Sequence, residues 1–335
     1  MTPPVAGLFV SGHSLTDRRM LQTLAAIMQD AGQPLAWNMQ NIPGSSLMKR
    51  TMGSDATSPW SGFTTGVDRS GAQIDVLAEL RAPSAGGAAY DALLLTELHS
   101  VLDSLTEHDT ARYLAEYRRR FLDINPQGGV WLMAPWLSLS SLEDPRDWIA
   151  YERNALPVWR CAVSTATGSP APSEARTETG FIPASLALAE LVNHLVEAPR
   201  PGFERPSHGD IVRDLFADQV HLTELGETYI ALIIASAIYG VDPASLALPA
   251  TVDPDKARTL TAFASRFVEN YRATEDSEKC PAGISLAFAW QYAGYAGEIF
   301  HADKSWPERK IRQVRNTLRY RWNLGSVFSA QPVDG

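Results

Sequence analysis

Short apolar runs that alternate with helical periodicity constrain this chain more than any other feature. Leu8 to Val10, Leu35 to Trp37, Leu93 to Leu95 and Val130 to Met133 read as strands buried on both faces. Between them apolar residues recur three or four apart, as in Leu21, Leu24, Ile27 and Met28 before Gly32. Strands that alternate with helices build βαβ units, in which the strands are parallel and helices cover the sheet. The pattern predicts a doubly wound, three-layer α/β/α sandwich. Ligands bind such a sheet outside the carboxyl ends of its strands, so the residues that follow each run are the ones to inspect for chemistry.

The first run ends in Gly12-His13-Ser14-Leu15, which puts the Ser14 hydroxyl at a strand-to-helix turn. Helix N-terminal amides at such a turn face any oxyanion formed when the hydroxyl attacks a carbonyl. A serine remains a weak nucleophile without an imidazole to take its proton and a carboxylate to orient that imidazole. Asp218-Gln219-Val220-His221 supplies both, ahead of an apolar segment with Leu225, Tyr229, Leu232, Ile233 and Ile238 that ends at Gly240. Taken singly, Ser14 reads as a helix cap and His221 as a histidine packed on its helix. Together the two motifs read as a divided serine-histidine-aspartate triad.

In these motifs the chain resembles the SGNH or GDSL hydrolase superfamily, over residues 5–245. The resemblance implies a mostly parallel, flavodoxin-like sheet, with Ser14 as nucleophile, His221 as base and Asp218 as its orienting carboxylate. It also implies an oxyanion hole built from the Ser14 amide, a glycine amide after the second strand and an asparagine side chain after the third. Gly44, in Asn41-Ile42-Pro43-Gly44-Ser45-Ser46, fits the glycine. After the third strand comes Thr96-Glu97-Leu98-His99, with Glu97 near the asparagine position. A carboxylate donates only when protonated. Glu97 therefore acts as a neutral acid, or binds a substrate hydroxyl, or leaves the donor role to His99 or a backbone amide. His13 stands where the family carries an aspartate and is assigned to local hydrogen bonding beside the substrate. Trp60, His99 and Trp136 complete the candidate substrate contacts. The implied reaction is hydrolysis of a carboxylic ester through an acyl-enzyme, the ester being an O-acetyl or short acyl group on a carbohydrate. Acyl transfer to a glycan, and a non-catalytic module that holds a glycan or partner, are the alternatives.

Composition narrows the partners. A net charge of −9 and a pI near 5.3 disfavour nucleic acid and anionic surfaces as general partners. No apolar stretch reaches the roughly 20 residues that span a bilayer. No basic leader with a cleavage site is visible, so a cytoplasmic location is the default expectation, periplasmic or secreted if a leader has been removed. No Walker-type loop or Gly-x-Gly-x-x-Gly is present and the seven histidines show no zinc spacing, so no cofactor and no metal are expected. Cys161 and Cys280 are expected as buried free thiols, with a single disulfide between domain and extension as the alternative.

Residues 51–73, rich in glycine and serine, read as a polar loop and a substrate lid carrying Trp60 and Phe63. Stretches 165–179 and 198–209 read as surface connections, and the helical segment between them holds His194 in a structural role. The hydrolase domain is expected over 1–248 and a helical extension over 249–335. Within the extension, Pro307 to Trp322 forms a basic amphipathic helix with Arg309, Lys310, Arg312, Arg315, Arg319 and Arg321 around Ile311, Val314 and Leu318. It is expected to pack on the acidic main domain or on an identical subunit, giving a homo-oligomer; an anionic polymer or membrane surface is the alternative.

Overall fold

The computed structural model describes residues 6–54, 59–84, 86–167, 179–204, 207–275 and 280–328. The elements run β1 (Ala6–Gly12), α1 (Arg18–Asp30), β2 (Leu35–Asn41), α2 (Leu47–Met52), α3 (Val76–Arg81), β3 (Ala92–Thr96), α4 (Val101–Glu107) and α5 (Thr110–Ile124). They continue with β4 (Gly129–Met133), α6 (Arg146–Thr167), β5 (Thr179–Ile182), α7 (Ala184–Glu197), α8 (His208–Leu215) and α9 (Glu224–Tyr239). Last come α10 (Pro254–Glu275), α11 (Leu286–Phe300) and α12 (Trp306–Leu324).

The strands form one sheet in the order β2-β1-β3-β4-β5, every neighbouring pair parallel. Leu8, Phe9 and Val10 of β1 and Leu93, Leu94 and Leu95 of β3 are fully buried, as central parallel strands covered on both faces require. The chain passes from β1 to the edge strand β2 and then returns across β1 to β3. That reversal opens a crevice at the carboxyl end of β1, where a doubly wound sheet binds ligands. Helices α1, α9 and α7 pack together on one face and α5, with α3 and α6 against it, on the other. The result is the α/β/α sandwich with a flavodoxin-like strand order.

Strand β5 and helix α8 are among the elements that escape the sequence pattern. Strand β5 is four residues long and has only Phe181 and Ile182 as apolar residues, too few to show a period. Helix α8 begins at His208 inside the proline- and arginine-rich stretch, where Ser207 caps it by accepting from Asp210 N. Residues 168–178 of the first expected connection lie outside the described residues, as do 205–206 of the second.

The expected lid is tied down rather than open. The Gln40 amide donates to the carbonyls of Arg50, Gly62 and Thr65, at 3.1, 2.7 and 3.0 Å. Phe63 is buried against Tyr117, ring centroids 4.9 Å apart, and Val67 exchanges two backbone hydrogen bonds with Asn41. Residues 55–58 of this stretch are outside the described residues.

Residues from 249 onward pack on both faces of the sandwich. Helix α10 lies on α9 and α7, α11 on α6, and α12 on α11 and α4. Their Leu260, Phe267, Phe288, Tyr292 and Tyr320 belong to the same buried core as the sheet. The cysteines are not free thiols: Cys161 on α6 is disulfide-bonded to Cys280 ahead of α11, with Cα atoms 5.4 Å apart. The fold brings the two cysteines together across a sequence separation of 119, which no local spacing in the sequence encodes.

Candidate active site

Gly12 ends β1 where the chain must fold back on itself. A Cβ there would meet Thr16 Oγ1 at 1.8 Å, so the turn requires glycine. Ser14 opens the short 3-10 turn Ser14–Thr16, and Asp17 then caps α1 by accepting from Met20 N. His13 is buried beneath the turn. One ring nitrogen, Nε2, lies 2.8 Å from the Glu97 carbonyl, and Nδ1 accepts from Leu15 N. Burial, and then the positive charge of Arg50, lower its pKa to about 3, so it stays neutral. His13 thus serves the turn by hydrogen bonding.

The second half of the site is equally fixed. Ala217 N donates to the His221 carbonyl at 2.8 Å, closing the turn that holds Asp218 and His221. Asp218 Oδ1 accepts from Val220 N and His221 N, each at 2.7 Å, while Oδ2 lies 2.8 Å from His221 Nδ1. Partial burial works against the Asp218 charge, but those two amides and the imidazole outweigh it and hold its carboxyl below the usual carboxylate range. The carboxylate thus holds Nδ1, and Nε2 is the ring nitrogen with no hydrogen-bond partner among the described residues. Trp136 Nε1 donates to the Val220 carbonyl at 2.7 Å and Leu139 N to the Gln219 carbonyl at 2.8 Å, which ties the segment after β4 to this turn.

Ser14 and His221 line one cavity of about 290 Å³. Leu15, Pro43, Trp136 and Leu222 make its apolar walls and Asp17, Arg19, Asn41 and Glu227 its polar ones. Arg19 and Glu227 form a two-point ion pair, Nε to Oε2 and Nη2 to Oε1, both 2.5 Å. Ser14 Oγ and His221 form no direct hydrogen bond among the described residues; each faces the shared space.

The other residues expected at the site divide. Gly44 is exposed in the left-handed region, φ 63°, and neither its N–H nor that of Ser14 is used in a hydrogen bond among the described residues. Glu97 is fully buried. Its Oε1 accepts from Leu47 N and Leu98 N, at 3.0 and 2.7 Å, and its Oε2 meets Thr110 Oγ1 at 2.9 Å. Burial raises its pKa, opposed by the buried Arg50. This carboxyl caps the first turn of α2 and is not a wall of the cavity. Arg50 in turn binds Ser11 Oγ, Ser45 and the Thr96 carbonyl, so the pair locks the ends of β1 and β3 to α2. His99 stacks on Phe300 of α11; burial, followed by the nearby His221, lowers its pKa to about 4. Trp60 is not brought to the cavity: the Arg120 guanidinium sits over its ring at 4.9 Å.

Of the polar wall residues, Asp17, Arg19 and Glu227 are not singled out by the sequence motifs, and Asn41 enters them only at the head of the segment that carries Gly44. Asn41 had a visible signal, since it ends β2 and is paired with Gly12, the residue that ends β1. Its backbone is held by Val67, and its Nδ2 is 3.5 Å from the His13 carbonyl, a weak contact that leaves the amide available.

No family model matches the sequence, and no curated protein does. Among solved structures, the chain is similar to a DUF4886 family protein from Bacteroides uniformis, with a TM-score of 0.55 and 15% identity over 82% of this chain and 98% of that one. At that identity the likeness is one of fold. A protein from Parabacteroides merdae, described as a "putative GDSL-like lipase", superposes with a TM-score of 0.41 and 14% identity over 70% of this chain and 95% of that one. The latter superposition is too loose to carry an argument.

Proposed function

We propose that the protein is a serine hydrolase that cleaves a carboxylic ester through an acyl-enzyme. The observation that carries this reading is the 2.8 Å contact between His221 Nδ1 and Asp218, on a turn that shares one cavity with Ser14. Ser14 Oγ attacks the carbonyl, His221 Nε2 takes the proton and returns it to the leaving alcohol, and Asp218 stabilises the imidazolium. Water then repeats the cycle on the acyl-enzyme. The Ser14 and Gly44 amides receive the oxyanion, and the Asn41 side chain supplies the third donor in place of Glu97. A cavity of about 290 Å³ suits an acetyl or short acyl group, and its polar walls offer partners for the hydroxyls of a carbohydrate leaving group.

The test is labelling with a fluorophosphonate, mapping of the modified peptide and an assay on p-nitrophenyl acetate. Modification at Ser14 is expected, with hydrolysis that Ser14→Ala lowers by about 10⁴-fold or more. An undiminished rate in the purified variant refutes the assignment of the nucleophile.

A further inference from the structure

Helix α12 is inverted relative to an ordinary surface helix. Its buried side carries Gln313, Thr317, Tyr320 and Leu324, three of them polar. The side that faces solvent carries Ile311, Val314, Leu318 and Trp322, which are 69%, 47%, 62% and 89% exposed. Spaced three and four apart, these four form a continuous stripe along the helix. A stripe of large apolar side chains left in water marks a surface that something covers.

The charges say what. The helix carries six cations, Arg309, Lys310, Arg312, Arg315, Arg319 and Arg321, against the single anion Glu308. By helical periodicity, Arg312 and Arg315 flank one edge of the stripe and Lys310 and Arg321 the other. Arg319 is used within the chain, bound to Asp103 and Glu107 of α4. Arg309, Arg312, Arg315 and Arg321 form no ion pair among the described residues. This cationic rim belongs to a chain of net charge −9. A second copy placed face to face on the stripe would bring rim against rim and cation against cation. A surface that is apolar just beneath an anionic layer matches both the stripe and its rim, and an amphipathic helix with basic flanks lies in the plane of such a bilayer. Trp306, also exposed, and Trp322 stand at the two ends of the helix, and indole rings favour the headgroup level. No helix among the described residues is long and apolar enough to cross a membrane.

We infer that α12 is a docking helix that seats this protein on the surface of an anionic lipid bilayer. The apolar stripe enters the headgroup boundary and the arginines bind lipid phosphates. The experiment is co-sedimentation of the full-length protein with vesicles of phosphatidylcholine alone or with phosphatidylserine added, at low and high salt. Tryptophan emission is recorded as an indicator of insertion. Two double variants, Leu318→Gln/Trp322→Ser and Arg312→Gln/Arg315→Gln, change only groups on or flanking the solvent-facing stripe and are checked for an unaltered melting curve. The expected result is partition onto the phosphatidylserine vesicles, with a blue shift, that weakens in high salt. Each double variant is expected to lose about tenfold or more in partition. Wild-type protein that stays in the supernatant, partitions equally onto both vesicle types, or partitions unchanged in both variants overturns the inference. A wild-type dimer that Leu318→Gln/Trp322→Ser splits, without vesicle binding, overturns it in favour of a second copy.

Discussion

An ionised carboxylate only accepts hydrogen bonds, and at Glu97 the acceptor positions are taken by Leu47 N, Leu98 N and Thr110 Oγ1. What Glu97 adds is a counter-charge to Arg50, itself fully buried. In a glutamine the Nε2 cannot accept from Thr110 Oγ1 and the Coulombic support of the buried Arg50 is lost, and each buried group left unpaired costs about 1–3 kcal/mol. Glu97→Gln is therefore expected to lower the melting temperature strongly while the folded fraction keeps most of its kcat on p-nitrophenyl acetate. Asn41→Ala is expected to do the reverse. The loss of one oxyanion donor costs about 10²–10³ in kcat, and a partly buried side chain with one weak contact contributes little to stability. Melting curves and kcat measured on both variants separate the two roles. A Glu97→Gln protein that melts normally yet turns over slowly returns Glu97 to the chemistry.

At the scale of elements, β1 to β4, the helices α1, α7, α9 and α12, and the helical character of the residues from 249 onward were legible, because each rests on a run or period of apolar residues between punctuating glycines, prolines or caps. The Ser14 and Asp218-His221 segments were legible for the same reason: each stands beside such an element. Arg19 and Glu227 were not, since each is polar, unremarkable in its local segment, and meets the cavity only through the fold. Glu152 shows the same limit within one helix. Nothing in its local segment sets it apart, yet it is fully buried, and its Oε1 takes Leu137 N at 2.6 Å. It thereby holds the segment after β4 that carries Trp136. Burial pushes its carboxyl up to about 8. A raised carboxyl contributes stability that is complete below its unfolded value and is lost as pH rises through the folded value, at most about 1.4 kcal/mol per pH unit. His13 and His99, held down at about 3 and 4, act in the opposite sense but only below their unfolded value of 6.5. Between pH 6.5 and 8 the Glu152 contribution stands clear of theirs. The melting temperature is expected to fall across that window in the wild type and to fall less in Glu152→Gln. Parallel slopes in the two proteins contradict the buried neutral acid.

Over the whole molecule, the C-terminal layer reaches the site as well as the core. Tyr295 of α11 donates to the Ser138 carbonyl at 2.9 Å and accepts from Ser140 N at 3.1 Å, bracing the segment after β4. Phe300, at the end of the same helix, stacks on His99 in the segment after β3. The Cys161–Cys280 disulfide fastens the approach to α11 onto α6, closing a loop of 119 residues' separation. A cross-link across so long a loop removes much of the freedom of the unfolded chain, and its loss costs about 2–5 kcal/mol. If the layer and the sandwich share one core, Cys161→Ala/Cys280→Ala lowers the melting temperature by several degrees in a single transition. Esterase activity is then lost in that same transition, because the braces on the segments after β3 and β4 go with the layer. Two separate transitions, with activity surviving the first, would instead show that residues from 249 onward fold as their own unit and that the site stands without them. Calorimetry with activity measured along the melt, in protein with and without the disulfide, decides between a braced site and an appended extension.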